Sequence, residues 1–221
     1  MAEQLALAPK KRLVDPGAPS SEPFRALRLA LQLPSVEHQS NVLLMTSAEP
    51  GEGKSTLAAN YALVSAIGFR NVLLIDADLR KPCLHDFFGM PRSPGLVDLA
   101  ASNGHLKEFT RPVPNFGTLD LLTAGSAIRR SSDLTSSARM AAILDEAAQK
   151  YSLVVIDSPP LLSAADAVGI SSLPGVSVIL VVGNGARRRL VRKALRKLEL
   201  IEAHVAGAVM NREGRLSAYD Y

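Results

Sequence analysis

The chain contains one cysteine, no tryptophan and few aromatic residues, which make up 5% of its 221 residues. A single cysteine excludes an internal disulfide, and no set of cysteines and histidines has the spacing of a zinc site. Cys83 is therefore predicted to be a passive thiol in a loop, in a protein of a reducing compartment. Because hydrophobic residues still make up 47% of the chain, a disordered protein is excluded and the core has to consist of Leu, Val, Ile and Ala.

Long hydrophobic runs are also missing. The longest, residues 176–182, is far shorter than the roughly 18 residues that a membrane-spanning helix requires. The apolar stretch at residues 5–8 is too short for the hydrophobic region of a signal peptide. We therefore expect a cytoplasmic protein, in which any association with the inner face of the membrane comes through a partner or a surface patch.

Acidic residues are absent from residues 187–197, although this stretch carries seven basic side chains. The formal net charge of the whole chain is +4, so the basic character is local and we expect no nucleic-acid partner. The spacing predicts an amphipathic helix over 190–201, whose basic outer face is either a solvated surface or a docking surface for an acidic tail, an anionic membrane or a membrane-anchored activator. The residues predicted to face the core are Leu190, Val191, Ala194, Leu195, Leu198 and Ile201.

Apolar strands alternate with helical segments along most of the chain. This alternation predicts an α/β fold, a doubly wound and mostly parallel sheet with helices on both faces. We expect a flexible arm over residues 1–20, one domain over 21–212 and a C-terminal tail over 213–221. Ser20 or Ser21 is predicted to cap the first helix, with Pro23 in its first turn. The remaining helices are expected at 54–67, 139–151 and 190–201, and the strands at 41–46, 72–75, 119–123, 153–156, 176–182 and 205–210.

A glycine-rich loop connects the first predicted strand to a predicted helix and has the spacing of a Walker A motif, with Ala48 in place of the first glycine. Its glycines allow successive backbone N–H groups to point at phosphate oxygens, and the helix N-terminus adds a partial positive charge. Lys54 is expected to reach the β- and γ-phosphates of ATP, and the Ser55 hydroxyl to coordinate Mg²⁺. The predicted nucleotide-binding residues of the loop are Gly51, Glu52, Gly53, Lys54, Ser55 and Thr56.

Two apolar strands end in acidic residues, Asp76 and Asp78 after one and Asp157 after the other. In doubly wound sheets, the carboxyl ends of the strands line the ligand crevice. Asp157 is predicted to bind Mg²⁺ directly or through water, while one of the other two assists the metal and the second accepts a proton from an incoming hydroxyl. The alternative is that each aspartate only terminates its strand, but two such segments after a phosphate loop disfavour it.

Together these segments resemble the bacterial tyrosine kinases of capsule and exopolysaccharide systems, from about residue 21 to the C-terminus. The most specific segment is the Asp-x-Asp-x-Arg-x-Pro run at residues 76–82. The resemblance implies an ATP-dependent protein tyrosine autokinase that regulates polysaccharide polymerisation and export. It also implies that Asp76 and Asp78 form a second Walker-type motif, that Asp78 is the base for the tyrosine hydroxyl, that Asp157 completes the metal site, and that Asn211 contacts the adenine.

The same resemblance implies an assembly and partners. Glu22, Arg25 and Arg28 match a pattern that mediates ring-like self-association in the family, although a solvated helix face explains them equally well. Tyr219 and Tyr221 are the expected phosphoacceptors, modified within a homo-oligomer. The other expected partners are protein tyrosine substrates and a membrane-anchored activator on a separate chain.

Two other functions stay open. The first is a switch ATPase of the MinD/ParA type, which usually carries an extra lysine early in the loop, where this chain has Glu49, Pro50 and Gly51. The second is a non-catalytic, ATP-binding regulator of the polysaccharide machinery, which the small number of tail tyrosines leaves possible.

Overall fold

A computed structural model describes residues 13–31, 41–67 and 71–211. In these ranges a seven-stranded sheet lies between two layers of helices, which confirms the predicted doubly wound fold. The expected phosphoacceptors, Tyr219 and Tyr221, lie outside the described residues, and the division into arm, domain and tail stays a prediction. The strands are β1 Val42–Ser47, β2 Val72–Asp76, β3 Arg111–Pro112, β4 Leu119–Leu122, β5 Leu153–Asp157, β6 Val176–Gly183 and β7 His204–Asn211.

The sheet has the order β3-β4-β2-β5-β1-β6-β7, and every neighbouring pair is parallel except β3 with β4. This order puts β1, β2 and β5 side by side at the centre, so the segments that follow these three strands meet at one edge. The helices are α1 Glu22–Ala30, α2 Lys54–Ala66, α3 Leu84–Phe88, α4 Leu96–Ala101, α5 Leu106–Phe109, α6 Ser131–Thr135, α7 Ala138–Lys150, α8 Ala165–Ser171 and α9 Arg188–Leu200.

The core has one layer on each face of the sheet, because successive residues of a strand point to opposite faces. Val154 and Ile156 of β5 belong to one layer, whereas Leu153 and Val155 belong to the other. In the second layer, α1 packs on the outside of α2, so most of α2 is buried. The helix that follows the glycine-rich loop is therefore held between the sheet and α1.

The predicted strands and long helices are confirmed to within two residues at each end. The sequence analysis did not predict the short elements, because a strand of two residues or a helix of one or two turns shows too little periodicity to be recognised. These elements are β3, α3, α4, α5, α6 and α8. Among the residues that the structure describes, no helix combines the length and the apolar character needed to cross a bilayer.

The predicted N-cap of α1, with Pro23 in its first turn, is confirmed in position but not in its hydrogen bonding, and one core prediction is wrong. Ser21 occupies the capping position of α1, but its hydroxyl donates backwards to the carbonyl oxygens of Pro16 and Ala18 and accepts no hydrogen bond from the helix. Leu195 was expected in the core and is 40% exposed, because it lies about 100° around the helix from the buried Ala194, on the flank of α9.

Candidate nucleotide and metal site

The glycine-rich loop leaves β1 at Ser47 and enters α2 at Lys54. Gly51 and Gly53 have φ angles of 84° and 88°, a left-handed backbone that any residue with a Cβ adopts only with strain. Ala48, in place of the first Walker A glycine, is buried. Beside the loop lies a cavity of about 160 Å³, lined by Gly51, Gly53, Lys54, Ser55, Thr56, Cys83 and Phe87.

Glu52 braces the loop against the ends of two neighbouring strands. Its carboxylate accepts hydrogen bonds from the backbone N–H groups of Glu49 at 2.8 Å and Gly183 at 3.3 Å. Asn211, at the end of β7, donates from Nδ2 to the backbone oxygen of Glu52 at 2.9 Å. Asn211 therefore reaches the phosphate loop, and its contact with adenine stays a prediction. The bracing by the Glu52 side chain was not predicted, since its partners are backbone groups distant in sequence.

Lys54 faces the two acid-ended strands. Its Nζ lies 3.0 Å from Oδ2 of Asp78, 3.8 Å from Oδ1 of Asp157 and 3.2 Å from the Ser55 hydroxyl oxygen. Burial of the ammonium group lowers its pKa, but the negative charges of Asp157 and Asp78 outweigh that effect, so the pKa is raised. The lysine therefore stays charged in the free protein.

Asp76 and Asp157 are paired in register on the adjacent strands β2 and β5, and both are fully buried. One carboxylate oxygen of Asp76 accepts from the N–H groups of Cys83 and Leu84, at 3.1 and 3.0 Å. Burial, together with the charge of Asp157, raises the pKa of Asp76 to about 7. Burial likewise raises the pKa of Asp157 to about 6, although the charge of Lys54 opposes the change.

Three carboxylate oxygens in this cluster, Oδ1 of Asp76 and both oxygens of Asp157, are buried and have no hydrogen-bond partner among the described residues. Buried acceptors without a donor are costly, and a hard divalent cation would satisfy them. No three His, Cys, Asp or Glu side chains in the described ranges form a complete metal cage. The donor set therefore fits Mg²⁺, which takes one or two carboxylates and completes its shell with phosphate oxygens and water.

Asp78, the predicted base, is occupied in the free protein. One oxygen pairs with Lys54, and the other accepts from the backbone N–H of Lys81 at 3.0 Å. Asp78 can accept a proton from a substrate only after Lys54 has turned away from it, so its role as the base stays a prediction.

Cys83 and Phe87 line the same cavity and were not predicted as part of the site. Burial, with the charge of Asp157 next in importance, raises the pKa of the Cys83 thiol to about 11. The thiol is therefore protonated at neutral pH, and it is a weak nucleophile. Its predicted passive character agrees with this environment.

Arg80, from the same run as Asp76 and Asp78, binds a second buried acid. Its Nε donates to Oδ2 of Asp166 at 2.9 Å, and Asp166 is fully buried in the first turn of α8. The other oxygen of Asp166 has no hydrogen-bond partner in the described part of the chain. The pair thus ties the loop after β2 to the helix after β5.

We expect Arg80→Gln to lower the free energy of unfolding by about 1–3 kcal/mol, because it leaves the buried Asp166 carboxylate unpaired. The value is below that of a fully buried pair, since half of the Arg80 side chain is exposed. Urea denaturation measures it. The double variant Arg80→Gln, Asp166→Asn should recover part of the loss, and a cost equal to or above that of the single variant would contradict the assignment.

The three residues of the predicted self-association pattern lie on α1. Glu22 is exposed and pairs with Arg25 at 3.0 Å, while Arg25 also donates to the carbonyl oxygen of Pro16 at 2.7 Å. Arg28 donates to the carbonyl oxygen of Val64 in α2 at 3.3 Å. Both arginines therefore make contacts within the chain, and their role between copies stays a prediction.

Comparison with known proteins gives relatives over most of the chain, while no protein-family model matches it. The tyrosine-protein kinase YwqD of Bacillus subtilis is 35% identical over 199 residues, which cover 90% of this chain and 84% of YwqD. The putative tyrosine-protein kinase EpsB of Ralstonia solanacearum is 37% identical over 200 residues, which cover 89% of this chain. The chain spans only 26% of the length of EpsB.

Solved structures agree with these relatives. The kinase domain of the Escherichia coli tyrosine kinase ETK superimposes with a TM-score of 0.81 and 30% identity, covering 93% of this chain and 82% of that domain. A chain of the MinC:MinD cell division protein complex of Aquifex aeolicus has a TM-score of 0.64 at 22% identity, covering 78% of this chain and 68% of the other. At that identity, the second likeness shows a shared fold and no more.

Proposed function

The chain belongs to the bacterial tyrosine-protein kinases, and from this premise we propose that it transfers the γ-phosphoryl group of ATP to tyrosine hydroxyls of proteins, including its own tail. Nucleotide binding follows from membership of the family, whereas Mg²⁺ as the metal is part of the proposal. The polysaccharide being regulated and the protein substrates belong to the proposal as well.

One observation carries the proposal: among the described residues, Oδ1 of Asp76 and both oxygens of Asp157 are buried without a hydrogen-bond donor. Asp157 lies 3.8 Å from Lys54, the first residue of the helix that follows the glycine-rich loop. Asp157 and the Ser55 hydroxyl would hold Mg²⁺, with Asp76 assisting. When bound, the metal neutralises charge on the phosphate oxygens. Lys54 then exchanges its carboxylate partners for phosphate oxygens, since both are anionic and the lysine is charged.

That exchange gives Asp78 its role in the proposal. While Lys54 pairs with Asp78 at 3.0 Å, the ammonium group occupies Oδ2 of that carboxylate and blocks the approach of a substrate hydroxyl. Once Lys54 has turned to ATP, the Oδ2 atom of Asp78 becomes available to a tyrosine hydroxyl. The base would thus be freed by the nucleotide, and the free protein would hold its catalytic groups in an ion pair.

Self-association and a membrane-anchored activator complete the proposal. Self-association is supported by the match of Glu22, Arg25 and Arg28 to the family pattern and by their position on α1, where Glu22 is exposed. Tail tyrosines of one copy would then reach the site of the next.

The test is to incubate the purified chain with γ-labelled ATP and Mg²⁺, map the label by peptide mass spectrometry and measure free phosphate in parallel. We expect label on Tyr219 or Tyr221, and a loss of at least about a hundredfold in Lys54→Met, which removes the cation that meets the phosphates. Lys107→Met is the matched control, since Lys107 is an exposed lysine outside the site, and its labelling should equal that of the parent chain.

The other possible results of this experiment indicate a different function or contradict part of the proposal. Free phosphate without labelled protein would indicate a switch ATPase, and nucleotide binding with neither product would indicate a non-catalytic regulator. Label that persists in Lys54→Met would contradict the assigned site. Label that persists in a Tyr219→Phe, Tyr221→Phe variant would support the kinase activity but exclude the tail tyrosines as its acceptors.

A further inference from the structure

Helix α9 presents a basic face to solvent. At 3.6 residues per turn, Arg189, Arg192, Lys193 and Arg196 share the side of the helix opposite the buried Ala194 and Leu198. All four basic side chains are exposed, and they line a surface depression of about 450 Å³. The phosphoryl-transfer chemistry proposed above uses none of them.

Within the part of the chain that the structure describes, these four cations have no carboxylate partner, unlike the basic residues at either end of the same stretch. Arg187 pairs with Glu49 at 3.0 Å, and Lys197 donates to the carbonyl oxygen of Leu161 at 3.0 Å. Across the described ranges, by contrast, none of the four cations on the outer face forms an ion pair with a carboxylate. Like charges one turn apart repel each other, so this arrangement destabilises the free helix and favours an anionic ligand.

The same face ends in an apolar side chain. Leu200 lies one turn beyond Arg196, almost in line with the basic row, and is 83% exposed. Leu195 is 40% exposed on the flank of the same helix. A ligand for this face therefore has to provide both a dense negative charge and an apolar region that can receive a leucine.

We propose that α9 docks on an anionic bilayer, with its four cations at the lipid headgroups and Leu200 at the boundary with the acyl chains. A bilayer offers both properties on one flat surface. The helix of 13 residues is about 20 Å long, and its basic row from Arg189 to Arg196 covers about 10 Å of that length. Nucleic acid offers the charge but no apolar layer, and the helix has no aromatic side chain to stack on bases. An acidic protein segment is the remaining competitor.

The test is co-sedimentation of the full chain, without nucleotide, with phosphatidylcholine vesicles. The vesicles contain either no phosphatidylglycerol or about 40% of it, and each kind is tested at low and at high salt. We expect binding only to the anionic vesicles, and weaker binding at higher salt because exposed charges are screened. Arg189→Glu, Arg192→Glu, Arg196→Glu should lower the partition coefficient at least about tenfold. The matched control reverses three exposed cations elsewhere, Lys107→Glu, Arg129→Glu, Arg130→Glu, and should keep most of the binding.

Two further variants protect the test against a misfolded triple variant. Neutralisation of the same three arginines to glutamine should reduce binding less than reversal, and Leu200→Ser should weaken it without changing its salt dependence. No binding to anionic vesicles, equal binding to neutral ones, or equal losses in the two charge-reversal variants would overturn the proposal. So would preferential competition by duplex DNA or by an acidic peptide at the same charge concentration.

Discussion

Asp157→Asn is expected to reduce phosphoryl transfer by about a hundredfold or more and, in the absence of nucleotide and metal, to leave the chain at least as stable as before. The activity falls because an amide is a poor ligand for a hard cation. The stability is kept because the burial of Asp157, which raises its pKa, outweighs the stabilising charge of Lys54 at 3.8 Å. In the free protein its charge is therefore a cost to folding.

The pH dependence gives this prediction a sign. The pKa of Asp157 is about 6 in the folded chain, above the roughly 3.9 of an unfolded aspartate, so the folded state binds the proton more tightly. The stability that the folded state gains from binding this proton more tightly is therefore present below about pH 4 and is lost as the pH rises through 6. The stability of Asp157→Asn relative to the parent chain should accordingly increase between pH 5 and pH 7.5.

Chemical denaturation at the two pH values, with chelator present, measures this difference. Asp166→Asn is the matched control, since Asp166 is equally buried but pairs with Arg80. That variant should lose stability at both pH values. If Asp157→Asn is less stable at pH 7.5 than at pH 5, relative to the parent chain, the interaction of the carboxylate with Lys54 outweighs its burial, and the carboxylate needs no cation to compensate it.

Much of the site was accessible from sequence because its residues follow strands of a parallel sheet. The strand–helix alternation is enough to predict that Lys54 starts a helix and that Asp76 and Asp157 end strands. The convergence of the strand ends then predicts that these residues lie close together. In the structure Lys54 lies 3.0 Å from Asp78 and 3.8 Å from Asp157, and Asp76 is paired in register with Asp157. The order of the strands was not available in the same way, since it depends on which strands pair.

The features that sequence did not reveal depend on tertiary contacts. Glu52 has the position of an ordinary loop residue, and only the approach of β6 gives its carboxylate the N–H of Gly183. Arg80 belongs to a recognisable motif, but its partner Asp166 is 86 residues away and has no motif of its own. The prediction for Leu195 failed for a related reason. Helical periodicity gives the direction in which a side chain points, but its burial depends on which other elements pack on that side of the helix.

Gly95→Ala is expected to lower the free energy of unfolding by about 3 kcal/mol or more, which corresponds to a fall of roughly 10 °C in melting temperature. A Cβ at this position would overlap the carbonyl oxygen of Thr123 and lie 2.5 Å from the backbone nitrogen of Gly125. Both are backbone atoms and cannot turn aside as a side chain would. The strain has to be relieved by moving the start of α4 away from the end of β4.

That movement would break bonds that hold the two elements together. Leu96 and Val97 donate from their backbone nitrogens to the carbonyl oxygens of Thr123 and Ala124, at 2.8 and 3.1 Å. Gly117→Ala is the matched control, because a Cβ there meets nothing within 4 Å and Gly117 does not have a left-handed backbone. It should change the free energy of unfolding by less than about 1 kcal/mol. Similar values for the two variants in a thermal melt would show that the contact of α4 with β4 yields at little cost.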